Sequence, residues 1–270
     1  MKGMRIGIGI LFVICHLSFV ITAPAVASYI SLNTTLRTKV VGQTLKITVN
    51  SVNKGDESAY NIRAEIRAGS KQWLLEKKAE LPVNLCYQAE VNFPLSISKP
   101  GTYPLILTMH YTDANQYPFS ALIAQTYIFL KESVSPIFGQ VKSVSFFKEG
   151  NLGFKLKNLG DREIKAKTYL VAPRELTVEK NQLELVVGPK SEKNGSFTIK
   201  NFSALSGSTY QVFAVSEFED KELHYTAIAP GTIKIVEDKL LFGLGQNFLL
   251  IILASLVAVF IFAQFYKWKK

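Results

Sequence analysis

Cysteine is nearly missing from this 270-residue sequence, which has two, and Cys15 lies in an apolar run near the start. Removal of that run would leave Cys86 alone. One thiol makes no internal disulfide, so an exported chain of this kind depends on packed cores for its stability. Cys86 sits in "LPVNLCYQAEV" with no adjacent His or basic cluster, which suits a small buried apolar residue better than a reactive thiol. Histidine is scarce as well. After His16 there are only His110 and His224, neither with a second ligand at helical or hairpin spacing, whereas zinc takes about three or four. Met109 and Tyr111 alternate inward around His110, which turns its imidazole outward. A Gly-x-Ser-x-Gly elbow, a phosphate loop and a His-Glu-x-x-His pair are all missing. These absences point to a protein that is not an enzyme and uses no cofactor or metal.

Concentrated charge is missing too. The net charge of +10 comes from 31 Lys and Arg against 21 Asp and Glu. Five of the bases (Lys2, Arg5, Lys267, Lys269 and Lys270) lie in end segments that hold no acid, leaving 26 bases against 21 acids between them. An interspersed, mildly basic surface lacks the stripe that nucleic-acid binders show, so nucleic acid is excluded as a partner.

The two ends do carry long apolar runs. Lys2 and Arg5 precede Ile6 to Val20, and Ala25-Val26-Ala27 follows as a small-x-small site, so residues 1–27 read as a signal peptide cleaved after Ala27. An uncleaved N-terminal anchor is the competing reading. Near the other end, Phe248 to Phe265 is apolar apart from Gln264, about 27 Å of helix at 1.5 Å per residue. Residues 240–266 are therefore expected to be a transmembrane helix. Tyr266, Lys267, Trp268, Lys269 and Lys270 would mark its interface, with 267–270 as a basic cytoplasmic tail. The expected address is a cell membrane, single-pass, with the N-terminus outside and the lipid bilayer as a partner. Ala254, Ser255 and Ala258 share one face and leave dimerisation through that helix open.

Between Ser28 and Val236 the period is two. In "YNIRAEIRAG", Ile62, Ala64 and Ile66 alternate with Asn61, Arg63, Glu65 and Arg67, the pattern of a strand with one buried face. Leu45, Ile47 and Val49 repeat it, as do Tyr103, Leu105, Leu107 and Met109, with turn signals at Asn53-Lys54-Gly55-Asp56 and Lys99-Pro100-Gly101. The pattern then recurs about 105 residues on: "LKITVNSVNKGDESAYNIRAEI" is echoed by "LGFKLKNLGDREIKAKTYLV". Both copies run a strand into a Gly-Asp turn, and both open a later strand with Gly101-Thr102-Tyr103 or Gly207-Ser208-Thr209-Tyr210. The expected fold class is all-β: two tandem immunoglobulin-like antiparallel β-sandwiches, 28–133 and 137–236, followed by the C-terminal transmembrane α-helix. The short linker "LKESVSP" predicts two neighbours held as a rod.

Copy one, from Gly42 to Asp113, with its Asn-x-Gly-Asp turn and Pro-Gly-Thr-Tyr strand opening, resembles the immunoglobulin-like CARDB and NEW3 modules of bacterial and archaeal surface proteins, close to S-layer-associated modules. Copy two keeps Asn158-Leu159-Gly160-Asp161 but lacks the proline before Gly207. The resemblance implies a structural or binding module outside the cell and assigns no site residue. The expected function is adhesion, scaffolding or binding of a protein partner at the cell envelope. The alternative is an accessory or chaperone-like subunit of an inner-membrane secretion or transport complex.

The remaining candidates are local. Tyr117 and Phe119 in "NQYPFSA" are expected at a loop tip, where sandwich proteins often make contacts. Glu217, Glu219, Asp220 and Glu222 crowd one predicted turn, and Asp113 and Asn115 the matching one. Neither has calcium-loop spacing, so solvated turns are expected. Within that stretch Glu217, Glu219 and His224 form the strongest cluster for any hidden chemistry. Asn33, Asn194 and Asn201 begin N-glycosylation triplets.

Overall fold

A computed structural model describes residues 29–237, 240–241 and 244–268, with side chains for 29–237 and 248–261. The first sandwich is built from β1 (Leu32–Val41), β2 (Thr44–Asn53), β3 (Ala59–Ala68), β4 (Lys71–Leu74), β5 (Lys78–Leu81), β6 (Cys86–Pro94), β7 (Gly101–Thr112) and β8 (Pro118–Phe129). Strands β1, β2 and β6 form one sheet in that order, and β3, β7 and β8 with β4 and β5 form the facing one. The alternating residues decide which faces meet. Leu45, Ile47 and Val49 close on Ile62, Ala64, Ile66, Leu105, Leu107 and Met109, while Phe93 and Phe129 fill the space between.

The second sandwich repeats the plan with β9 (Ile137–Val141), β10 (Val144–Phe146), β11 (Glu149–Asn158), β12 (Ile164–Val171), β13 (Leu176–Val178), β14 (Gln182–Val187), β15 (Glu192–Asn201), β16 (Thr209–Asp220) and β17 (Leu223–Ile235). Its sheets run β13-β15-β11-β9 and β14-β12-β16-β17, with β10 added in parallel on β17. Leu152, Phe154, Phe197, Val212 and Ile233 form its core.

The repeated turn has a buried reason. Asn53 ends β2 and Asn158 ends β11, and both are fully enclosed. The Asn53 amide donates to the carbonyls of Glu57 (2.7 Å) and Leu81 (3.1 Å), and its Oδ1 accepts from the Gly55 N–H at 3.0 Å. Asn158 does the same one copy later, donating toward Arg162, Val187 and Gly188 and accepting from Gly160. Each side chain thus ties its own turn to a neighbouring strand. A backbone polar group left bare there would be costly.

The sandwiches are not strung end to end. A single parallel pairing, His224 with Gly101, joins β17 to β7. Beyond it the outer faces of the two larger sheets pack together, with Ile106 and Leu122 against Val171, Phe213 and Val215. The cause lies in "LIL" and "VFAV", where both faces of a strand are apolar and both become buried. The rod expected from the linker length is replaced by a face-to-face pair.

After β17 come the two-residue strands β18 (Leu240–Leu241) and β19 (Leu244–Gly245), then α1 (Gln246–Trp268). Here the expected fold class needs correction. Among the described residues no helix is long and apolar enough to cross a membrane. The side chains of Tyr266, Lys267 and Trp268, and all of Lys269 and Lys270, lie outside the described set, as do Ala25 and Ala27.

Candidate functional site

The seam between the sandwiches gathers half of the buried polar side chains described: Thr102, Ser133, Glu175, His224 and Thr226. At one end β16 and β17 form a hairpin in which Glu219 faces His224 and Glu217 faces Thr226. His224 is 8% exposed and its ring lies flat on Tyr103 of the first sandwich, 4.0 Å between centroids at 7°. Its Nδ1 donates to the Thr102 carbonyl (3.0 Å), and Nε2 faces the Glu217 carboxylate at 3.2 Å. Both ring nitrogens meet acceptors, so the geometry suits an imidazolium. The hydroxyl pKa of Tyr169 is pushed far up, first by burial and then by the nearby Glu217 carboxylate. Thr102 and Ser133 bond each other through side chain and backbone, and the Ser133 hydroxyl donates to the His224 carbonyl at 2.6 Å. Lys99 pairs with Glu219 at the rim.

The cluster read from sequence as solvated turn residues is therefore divided. Glu217 and His224 are committed to the seam, while Glu219 and Asp220 stay in water with Lys99 and Arg162. Among the described residues no three His, Cys, Asp or Glu side chains come together to hold a metal.

Burial pulls the His224 pKa down. The hydrogen bonds to Glu217 and to the Thr102 carbonyl, with the charges of Glu217 and Glu219, outweigh it and leave the net shift upward. A pKa raised on folding means that protonation favours the folded state. The contribution is complete below the ordinary value of 6.5 and is lost as pH rises through the folded value. We expect the melting temperature of the wild type to fall as pH rises from about 6.5. In His224→Gln that part of the slope should vanish. Identical slopes in the two proteins would remove His224 from the seam's energetics.

At the other end, Tyr117 and Phe119 are half-buried rather than at a free tip. The Tyr117 hydroxyl donates across the seam to the Ser203 carbonyl (2.5 Å), and its ring tilts against Phe119 at 5.4 Å. Phe119 stacks on Tyr111 at 5.6 Å and lines a cleft of about 510 Å³, together with Ser120 of β8 and Tyr210 of β16. Behind this wall Glu175 is fully buried. Its Oε2 accepts from the Ser120 hydroxyl at 2.5 Å, while Oε1 has no partner. Burial pushes the Tyr111 pKa up to about 12, with the Glu175 charge adding to it.

Sequence reasoning missed Glu175, Ser120, Tyr169, Thr102 and Ser133. Only the doubly apolar runs of β7 and β16 hinted at a second buried face. His110 does turn away from its own core, but onto Glu65 (3.0 Å) and not into water. Cys86 is half-buried and donates to Asn50. Of the glycosylation triplets, Asn33 and Asn194 are exposed, while Asn201 is tied by its amide to Phe147 and Ala204.

No protein-family model matches the chain, and no curated protein sequence matches it. Among solved structures it is similar to a transglutaminase from red sea bream, at 11% identity over 78% of this chain and 32% of that one, with a TM-score of 0.30. It is also similar to the native conformation of alpha-2-macroglobulin from E. coli (8% identity, 76% of this chain, 17% of that one, TM-score 0.30) and to the trypsin-activated form of that protein (10%, 76%, 18% and 0.30). The chain spans a third or less of each of these proteins, and likeness at this level says nothing about activity.

Proposed function

We propose that this chain is an extracytoplasmic binding scaffold: two immunoglobulin-like sandwiches held as one body that present the cleft between them to a protein partner at the cell envelope. The observation that carries this reading is the seam itself. Apolar packing and buried hydrogen bonds fix one sandwich against the other, so a cleft of about 510 Å³ has walls from both. That volume lies in the range of ordinary ligand sites, and rigid walls lower the entropy cost of binding. A binding role also suits the seam chemistry. Both ring nitrogens of His224 are engaged within the protein, by the Thr102 carbonyl and the Glu217 carboxylate. The signal-like leader and the resemblance of residues 42–113 to CARDB and NEW3 modules belong to the same proposal.

The test is photo-crosslinking in intact cells, with the crosslinker at Phe119 or Gln211 in the cleft and at the exposed Lys180, which does not line it. A discrete adduct from the two cleft positions, absent from Lys180, is expected, and protease added outside the cells should digest the chain. A chain untouched by external protease, or equal labelling at all three positions, would end the proposal.

A further inference from the structure

We propose that the cleft between the sandwiches binds an organic ammonium cation, either a free amine or the same group on a lysine of the partner, held by its aromatic wall and the buried charge of Glu175. The inference rests on reading the cleft as a binding site and names what would enter it.

Three observations meet here. The cleft wall carries no charged side chain, yet three of its residues are the aromatic rings of Tyr111, Phe119 and Tyr210. Directly behind it lies a carboxylate with no counter-ion. Glu175 is fully enclosed, one oxygen takes the Ser120 hydroxyl, the other takes nothing, and among the described residues no Lys, Arg or His pairs with it. Ser120 links the two, since it lines the cleft and its hydroxyl donates to the Glu175 carboxylate. A buried carboxylate is costly unless something positive answers it.

The chemistry of the wall selects among cations. A calcium ion wants six to eight oxygens, and the described residues gather no such set. Ring faces attract an ammonium within about 6 Å and suit an alkylated one, whose carbon shell packs on them. An anion would be repelled by Glu175, and a neutral apolar ligand would leave that charge unanswered. Tyr117 serves here as a positioning residue. It holds Phe119 from behind and is itself anchored on Ser203 of the second sandwich.

The experiment titrates the full chain by calorimetry with choline, with N-acetyl-lysine methylamide, and with 3,3-dimethyl-1-butanol, the uncharged analogue of choline. Saturable binding of at least one ammonium probe is expected, with the uncharged analogue at least tenfold weaker. Glu175→Gln keeps the shape and should weaken the ammonium at least tenfold. Phe119→Leu should do the same and serves alone if Glu175→Gln fails to fold. Choline ahead of the lysine probe would indicate a free amine, and the reverse order a partner side chain. The proposal is overturned if neither ammonium probe binds, if choline and its uncharged analogue bind alike, or if Phe119→Leu binds as the wild type does. A partner crosslinked at the cleft without ammonium binding would sink this inference and leave the scaffold standing. Ammonium binding without any crosslinked partner would do the opposite.

Discussion

Replacing Asn158 by alanine should lower the unfolding free energy by about 3 kcal/mol, a large part of the roughly 5–15 kcal/mol available to a small domain. The side chain is fully enclosed, and its amide serves the Val187 and Gly188 carbonyls at 3.2 and 2.9 Å as well as that of Arg162 at 2.7 Å. Truncation removes these bonds together with the one from the Gly160 N–H. The backbone groups then stay buried without partners, and that desolvation, more than the lost bonds, sets the size of the effect. Asn158→Asp should be at least as damaging, since it points a carboxylate oxygen at carbonyls that need a donor. The equivalent Asn53→Ala should weaken the first sandwich by a similar amount, as its bonds are the same in kind. Urea denaturation followed by circular dichroism measures both. A loss below about 1 kcal/mol for Asn158→Ala would mean that the turn stands without its side chain.

That asparagine also marks how far the sequence could be read. The Asn-x-Gly-Asp repeat was visible as a turn, and turns of this composition follow from the short polar side chain and the glycine. The period of two does set Asn53 on the face of Leu45, Ile47 and Val49, and Asn158 on that of Leu152, Phe154 and Leu156, but nothing in the spacing names the carbonyls that an enclosed amide would meet. Strand placement was legible for a simpler reason. Ile62, Ala64 and Ile66 alternate strictly with polar neighbours, and a one-residue slip would put every one of them into water. The seam was harder. His224 and Glu217 lie on the outer faces of their strands, where a single-sandwich reading sends them to solvent. They are buried only because a second sheet covers them, and one copy of the pattern carries no record of its neighbour. The apolar stretch at Val212 to Val215 was the clue available, with Phe213 and Val215 facing opposite ways from Val212 and Ala214. Glu175 left no trace at all, since an acid in a Pro-Arg-Glu turn is ordinarily a surface residue.

Gly101→Ala should open the seam while leaving both sandwiches folded. Gly101 has φ of +146°, a region that residues with a side chain rarely occupy. A methyl group there would run into the backbone of His224, carbonyl oxygen first and then nitrogen and carbon, none of which can rotate aside. To relieve the clash β17 must part from β7. With it go the His224 N–H bond to Pro100 (2.9 Å), the ring bond to Thr102 and the Thr226 bond to the same carbonyl (2.8 Å). The cores are separate from this contact, since neither Gly101 nor His224 belongs to them. Small-angle scattering should therefore show a larger radius of gyration with circular dichroism unchanged, and protease should cut near the exposed Leu130 and Val134 of the linker. Gly42→Ala is the control. It shares a positive φ (+58°), but nothing lies within 4 Å of the added methyl, so it should cost about 1 kcal/mol and leave the scattering profile alone. If both variants scatter like the wild type, the close approach at His224 is not what holds the sandwiches together, and the apolar contact of Ile106 and Leu122 with Phe213 and Val215 must suffice.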